Sequence, residues 1–148
     1  MPEGDRSGLS ELYQELILDH YRRPRNRGSL EAYTRRVALA KPTCGDELEL
    51  DLLLDGETIA DVRFSGRGCS ISQASASMMT QLIKGKKVAE ARSLALRFSE
   101  MLHGSAEAAR DKVLGEARSL AGVAKFPVRV KCALLGWNAL EESTRSLP

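Results

Sequence analysis

Glu47-Leu48-Glu49-Leu50-Asp51-Leu52-Leu53-Leu54-Asp55-Gly56-Glu57-Thr58-Ile59-Ala60-Asp61-Val62-Arg63-Phe64-Ser65-Gly66-Arg67-Gly68-Cys69 is the stretch that decides the fold. From Glu47 to Leu52 acidic and apolar residues alternate with the strand period, so the leucines face a core and the acids face water. Asp55-Gly56 is a strong hairpin-turn signal. The return strand, Ile59 to about Phe64, alternates again, with Ala60 breaking the pattern. After Gly66-Arg67-Gly68 the period becomes helical. Cys69 to Lys84 carries Ile71, Ala74, Met78, Met79, Leu82 and Ile83 on one side, and Gly85 stops it.

Working outward, Val37 to Ala40 supplies a short third strand. Upstream, Ser10 is placed as the N-cap of a helix to about Tyr21, with Leu9, Leu12, Tyr13, Leu16, Ile17 and His20 on one face. Downstream, helices are predicted over Val88–His103, Ala106–Leu120 and Val128–Glu142, the last with Val130, Ala133, Leu134, Trp137 and Leu140 on its face. The fold class is α+β: a three-stranded antiparallel sheet packed against an N-terminal helix and several C-terminal helices. Residues 1–8 are expected to be disordered, 9–142 to form a single domain, and 143–148 to be a flexible C-terminus.

The chain has 148 residues, enough to fold on its own core without needing a metal for stability. Its 22 basic and 20 acidic residues are too balanced for a protein that coats nucleic acid. The local exception is Tyr21-Arg22-Arg23-Pro24-Arg25-Asn26-Arg27, read either as a solvated helix end or as a docking patch. No apolar run reaches the ~20 residues of a membrane span, and no signal-peptide core follows Met1, so a cytoplasmic location is expected. Three cysteines in a reducing compartment do not form a disulfide framework.

The cysteines sit at element ends. Cys44 lies in the loop Lys41-Pro42-Thr43-Cys44-Gly45-Asp46, where in an extended segment Cys44 and Asp46 point the same way. Cys69 follows Gly66-Arg67-Gly68 and opens a helix, where free N–H groups and partial positive charge favour a thiolate. Cys132 lies in the first turn of the last helix, off its predicted apolar face. The bland alternative is three unrelated small buried hydrophobes. Spacing alone does not choose: 24 residues separate Cys44 from Cys69 and 62 separate Cys69 from Cys132, which is no compact zinc-finger pattern. Position favours one shared site made of Cys44, Asp46, Cys69 and Cys132.

Four stretches carry a family resemblance: Leu12-Tyr13-Gln14-Glu15-Leu16-Ile17-Leu18-Asp19-His20-Tyr21-Arg22-Arg23-Pro24-Arg25-Asn26, Pro42-Thr43-Cys44-Gly45-Asp46, Gly66-Arg67-Gly68-Cys69-Ser70-Ile71-Ser72-Gln73-Ala74-Ser75-Ala76-Ser77-Met78-Met79, and Phe126-Pro127-Val128-Arg129-Val130-Lys131-Cys132. They resemble the IscU/NifU-N family of iron–sulfur cluster assembly proteins, over roughly residues 9–142. Lys131 stands where IscU-type scaffolds have a metal-ligating histidine, and neither His20 nor His103, both read as structural, replaces it. The segment between His103 and Phe126 resembles the insertion of SufU-type members. Both features place the resemblance with the SufU type.

Three thiolates and a carboxylate suit tetrahedral zinc, with iron or an iron–sulfur cluster as the alternative cofactor. Such a site carries excess negative charge, which Arg129, Lys131, Lys41 or Arg67 could offset. A carboxylate is the weakest of the four ligands and points to a site where one ligand exchanges. The resemblance implies a zinc-dependent protein that accepts persulfide sulfur from a SufS-type cysteine desulfurase and serves downstream iron–sulfur assembly proteins. It also implies that Cys44 is the sulfur acceptor, freed when a histidine of the desulfurase displaces a zinc ligand. Arg129 would support the anionic site or the docked partner. A sulfurtransferase-like activity follows only from the SufU type; the alternatives are an IscU-like assembly scaffold and a structural zinc module for protein interaction.

Overall fold

The hairpin centred on Gly56 joins the central strand of the sheet to an edge strand in the computed structural model, which describes residues 3–41 and 45–145. Strand β1 spans Arg35–Lys41, β2 Asp46–Asp55 and β3 Thr58–Arg67, antiparallel in the order β1-β2-β3. Leu48, Leu50 and Leu52 pair with Gly66, Phe64 and Val62 and are buried, as the alternation predicts. Ala60 is the residue without a partner at the register shift between Leu53 and Leu54. That extra residue lets Ile59 and Val62, three apart, face the same core. The predicted α+β architecture is thus the one observed.

Two acids of β2, Asp46 and Asp51, do not face water. Asp51 is buried, and its carboxylate accepts from Arg36 Nε (2.7 Å), Arg36 Nη2 (2.9 Å) and the Leu30 N–H (2.9 Å). The Arg36 guanidinium lies 4.0 Å from the centre of the Tyr33 ring, so the pair is roofed by an aromatic face.

Around the sheet run α1 (Glu3–Arg22), α2 (Ser70–Ile83), α3 (Val88–Leu102), the single turn α4 (Ala106–Ala109), a 3₁₀ segment (Lys112–Lys125) and α5 (Pro127–Thr144). α1 begins at Glu3 rather than at Ser10, so residues 3–8, expected to be disordered, follow a helical path; extending a formed helix costs far less than starting one. α5 continues to Thr144, two residues past its predicted end, and residues 146–148 lie outside those described. The single helix predicted over Ala106–Leu120 is broken, first at Asp111, which is extended (φ −73°, ψ 115°), and again at Gly115, whose φ 52° and ψ −132° no helix accommodates.

α2 is buried from Ser72 to Thr80, all around rather than along one stripe. Its serines tolerate this because they are small and satisfied. Ser75 Oγ donates to Ala133 O (2.6 Å) and accepts from Trp137 Nε1 (3.2 Å), while Ser77 Oγ contacts His20 Nδ1 (2.7 Å) and accepts the Arg25 N–H (2.8 Å). His20 is buried as expected, but between polar groups, with Nε2 2.8 Å from Glu116 Oε1. α5 is likewise buried on several sides, including Cys132, Leu135, Gly136 and Ala139 beyond the predicted face, and Trp137 stacks on Phe98 at 4.5 Å. The close pair α2 and α5 is what carries two of the cysteines.

The hydrogen bonds from Arg36 hold the Asp51 carboxyl below the usual carboxylate range; burial opposes them, and the Leu30 N–H adds to them. A depressed folded pKa stabilises above the ordinary carboxylate value, near 3.9, and that stability is lost as pH falls through the folded value. Asp51→Asn is therefore expected to cost about 1–3 kcal/mol at pH 7. The gap to wild type in urea denaturation should narrow steadily below about pH 4; a gap independent of pH would contradict the assignment.

Candidate metal centre

The site lies where β2 begins and α2 begins. Asp46 opens β2 and is 1% exposed. Cys69 is the N-cap of α2, extended at φ −69° and ψ 166°, and makes no side-chain capping bond of its own. Asp46 meets it: Oδ1 accepts the Cys69 N–H at 2.9 Å, and Oδ2 lies 3.7 Å from the Cys69 thiol, which donates to it. Ser72 Oγ donates to the Cys69 carbonyl at 3.1 Å, closing the first turn. From the other side α5 delivers Cys132, also 1% exposed. The ligand atoms of Asp46, Cys69 and Cys132 all lie within 4.8 Å of one another.

Tetrahedral zinc with bonds of about 2.3 Å to sulfur separates its ligand atoms by roughly 3.8 Å. The observed cluster is within a small adjustment of that. Two thiols and a carboxylate are the donor set for a thiophilic metal, zinc or iron, and not for calcium or magnesium. Gln73, one turn after Cys69, is buried, and neither its Oε1 nor its Nε2 has a hydrogen-bond partner; among the described residues it is the buried side chain with this deficit.

Of the residues proposed from sequence, the fold brings Asp46, Cys69 and Cys132 together. Cys44, with Pro42 and Thr43, lies outside the described residues. The placement of Cys132 off an apolar face does not hold, since α5 is buried around that position too. Arg67, expected to balance the site's charge, is exposed and pairs instead with Glu47 at 3.3 Å, across the β2–β3 ladder. Lys131 is exposed. Arg129 is exposed and lines a groove of about 460 Å³ with Ser70, Ile71 and Phe126, next to the start of α2. His103 caps α3 from the surface, Nδ1 2.7 Å from Ser99 O.

Sequence reasoning missed Gly68 as a functional position. A Cβ there would collide with Asp46 Oδ1 and lie 2.6 Å from Ser72 Oγ. Only a glycine lets the carboxylate lie against the backbone ahead of Cys69. The signal was present in Gly66-Arg67-Gly68-Cys69, where two glycines before a helix start mark a close backbone approach.

Fold and donor set together define an α+β domain in which an aspartate and two cysteines converge in a group that could hold a metal ion. Residues 12–133 match the NifU-like N terminal domain. The chain is 48% identical over 136 residues to the zinc-dependent sulfurtransferase SufU of Bacillus subtilis, covering 92% of this chain and 91% of that protein. It is also 48% identical over 139 residues to the iron–sulfur cluster assembly scaffold protein IscU of Streptococcus pyogenes, covering 94% and 86%. Its structure matches that of an iron–sulfur cluster assembly scaffold protein for the SUF system from Fervidobacterium islandicum with a TM-score of 0.81, at 37% identity, covering 87% and 93%. This chain belongs to the NifU-like N-terminal domain family, as its motifs imply. Among the described residues no helix is long and apolar enough to cross a membrane.

Gly68→Ala is expected to weaken zinc uptake about tenfold or more, measured by competition with a chromophoric chelator. It should also cost about 1–3 kcal/mol in stability as an overpacked contact. Unchanged zinc affinity in the folded variant would show that the Asp46 position does not matter to metal.

Proposed function

We propose that this protein accepts persulfide sulfur from a cysteine desulfurase and passes it toward iron–sulfur cluster assembly, with zinc at Cys44, Asp46, Cys69 and Cys132. The observation that carries this is the convergence of Asp46, Cys69 and Cys132 within 4.8 Å, in a chain 48% identical to a protein named as a zinc-dependent sulfurtransferase. Zinc, when bound, would keep the coordinated thiols deprotonated and gathered.

The acceptor is Cys44, which stands two residues before the ligand Asp46 in the sequence, separated from it by one glycine. Its thiolate attacks the outer sulfur of the donor's persulfide. A new S–S bond forms at Cys44 Sγ, the donor's S–S bond breaks, and the donor cysteine leaves as thiolate, so no external oxidant is consumed. Asp46, a hard oxygen ligand among sulfurs, is the ligand best suited to exchange while the half-buried Cys69 and the buried Cys132 stay in place near the starts of α2 and α5. Arg129, in the groove beside Ser70, would balance the anionic site or meet the donor. The reaction belongs in the reducing cytoplasm, where thiols stay free.

A scaffold role, in which a cluster is built on the same residues, is favoured by the similarity to the Streptococcus pyogenes protein. Metal analysis separates the two: stoichiometric zinc without a visible chromophore supports transfer, and a stable brown cluster supports assembly in place. Cys44→Ala is expected to abolish stimulation of a SufS-type desulfurase. Mass spectrometry after incubation with desulfurase and cysteine should find one added sulfur atom on Cys44 of the wild type. Full stimulation by Cys44→Ala would end the assignment.

A further inference from the structure

The arginines from Arg22 to Arg27 take no part in the site, yet the fold holds their segment in a fixed path. Arg25 N–H donates to Ser77 Oγ (2.8 Å), Asn26 Nδ2 to Thr80 Oγ1 (3.1 Å), and Asn26 O accepts the Phe64 N–H (3.0 Å). Asn26 has φ 58°, the one positive φ outside glycine among the described residues, held by these bonds. The segment thereby covers the outer edge of β3 at Phe64. The loop after α2 covers the other end: the Ile59 N–H donates to Lys86 O (2.8 Å), and Lys87 bridges to Thr58.

Charge follows this edge. Arg23 and Arg25 share Asp19, at 2.8 and 2.6 Å, and Arg63 and Lys84 share Asp61, at 2.6 and 3.4 Å. Each trio keeps one net positive charge. Arg22, Arg27 and Lys86 are exposed, and among the described residues no carboxylate pairs with them. Residues 19–27, 57–66 and 84–90 together hold eight basic and four acidic side chains, whereas the rest of the chain holds fourteen and sixteen. A nearly neutral protein thus concentrates its positive charge along one edge. Beside Arg22, Leu18 and Tyr21 are 40% and 44% exposed, and tyrosine with arginine is the mixture enriched at protein interfaces. At one end of the band Arg27 Nη2 donates to Gly66 O at 2.9 Å, near the end of β3 and three residues before Cys69.

We propose that this basic edge of β3 is the docking surface for an acidic face of the protein that delivers sulfur to the site. The proposal rests on the sulfur-transfer function above. Interleaved Asp19 and Asp61 disfavour a polyphosphate strand, which rewards cations in succession, and suit a protein face of mixed charge. The band would steer the donor and orient it toward the loop that carries Cys69.

The test is the association rate with the cognate SufS-type desulfurase at low and high salt, using zinc-loaded protein. Arg22→Glu/Lys86→Glu is expected to slow association about tenfold or more at low salt, with the gap closing as salt rises. Arg22→Gln/Lys86→Gln, which perturbs the fold less, should show a smaller loss in the same direction. Arg110→Glu/Arg145→Glu, matched in net charge but outside the band, should stay within about twofold of wild type. Equal rates for the two reversed pairs would overturn the docking surface and leave the sulfur-transfer function standing. Tight, salt-sensitive binding of a single-stranded RNA probe, lost only in the band variant, would also overturn it in favour of nucleic acid. A wild type that neither binds nor stimulates the desulfurase would instead bring down the function and this surface with it.

Discussion

The contact between the Asp46 carboxylate and the backbone of Cys69 is the joint on which the rest of the site depends. It ties the start of a strand to the start of a helix, two elements separated by a complete hairpin. A buried carboxylate requires compensation, and it finds it in the Cys69 N–H and thiol. The same interaction brings an oxygen and a sulfur to within one metal's reach. Gly68 is the condition for it, since any side chain there would occupy the space of Asp46 Oδ1.

The third donor arrives through packing rather than through a bond of this kind. α2 is built of alanines and serines where it meets α5, and Ala76 lies against Gly136, so the two helix axes come close. Trp137 then locks the pair, stacking on Phe98 and donating to Ser75. The polar residues of α2 act as part of the core: each serine hydroxyl facing α1 or α5 has a partner there. This arrangement brings Cys132 close to Cys69 and Asp46.

Much of this was readable in the chain because local chemistry and global fold agree there. Alternation in Leu48–Leu52, the Asp55-Gly56 turn and the glycines before Cys69 each specify the element observed. What failed was whatever depended on distant partners. Asp51 is read as solvated from its place in the alternation, but Arg36, fifteen residues earlier, buries it. The one-sided face assigned to α5 underestimates a helix that is buried on several sides, so an off-face position does not distinguish Cys132, whereas its closeness to Asp46 and Cys69 does. Arg67 precedes Cys69 closely in sequence, yet the strand period sends its side chain to Glu47. The proposal of Cys44 as acceptor comes from the resemblance to a known family, since no periodicity contains it.

The central claim is that one metal ion is held by sulfurs from three distant segments and by the oxygen of Asp46. Zinc K-edge X-ray absorption on the zinc-loaded protein tests it most directly. The account predicts a first shell of three sulfurs at about 2.3 Å and one oxygen at about 2.0 Å, with the oxygen lost in Asp46→Ala. A shell made only of nitrogen and oxygen, or one unchanged by removal of the Asp46 carboxylate, would contradict it.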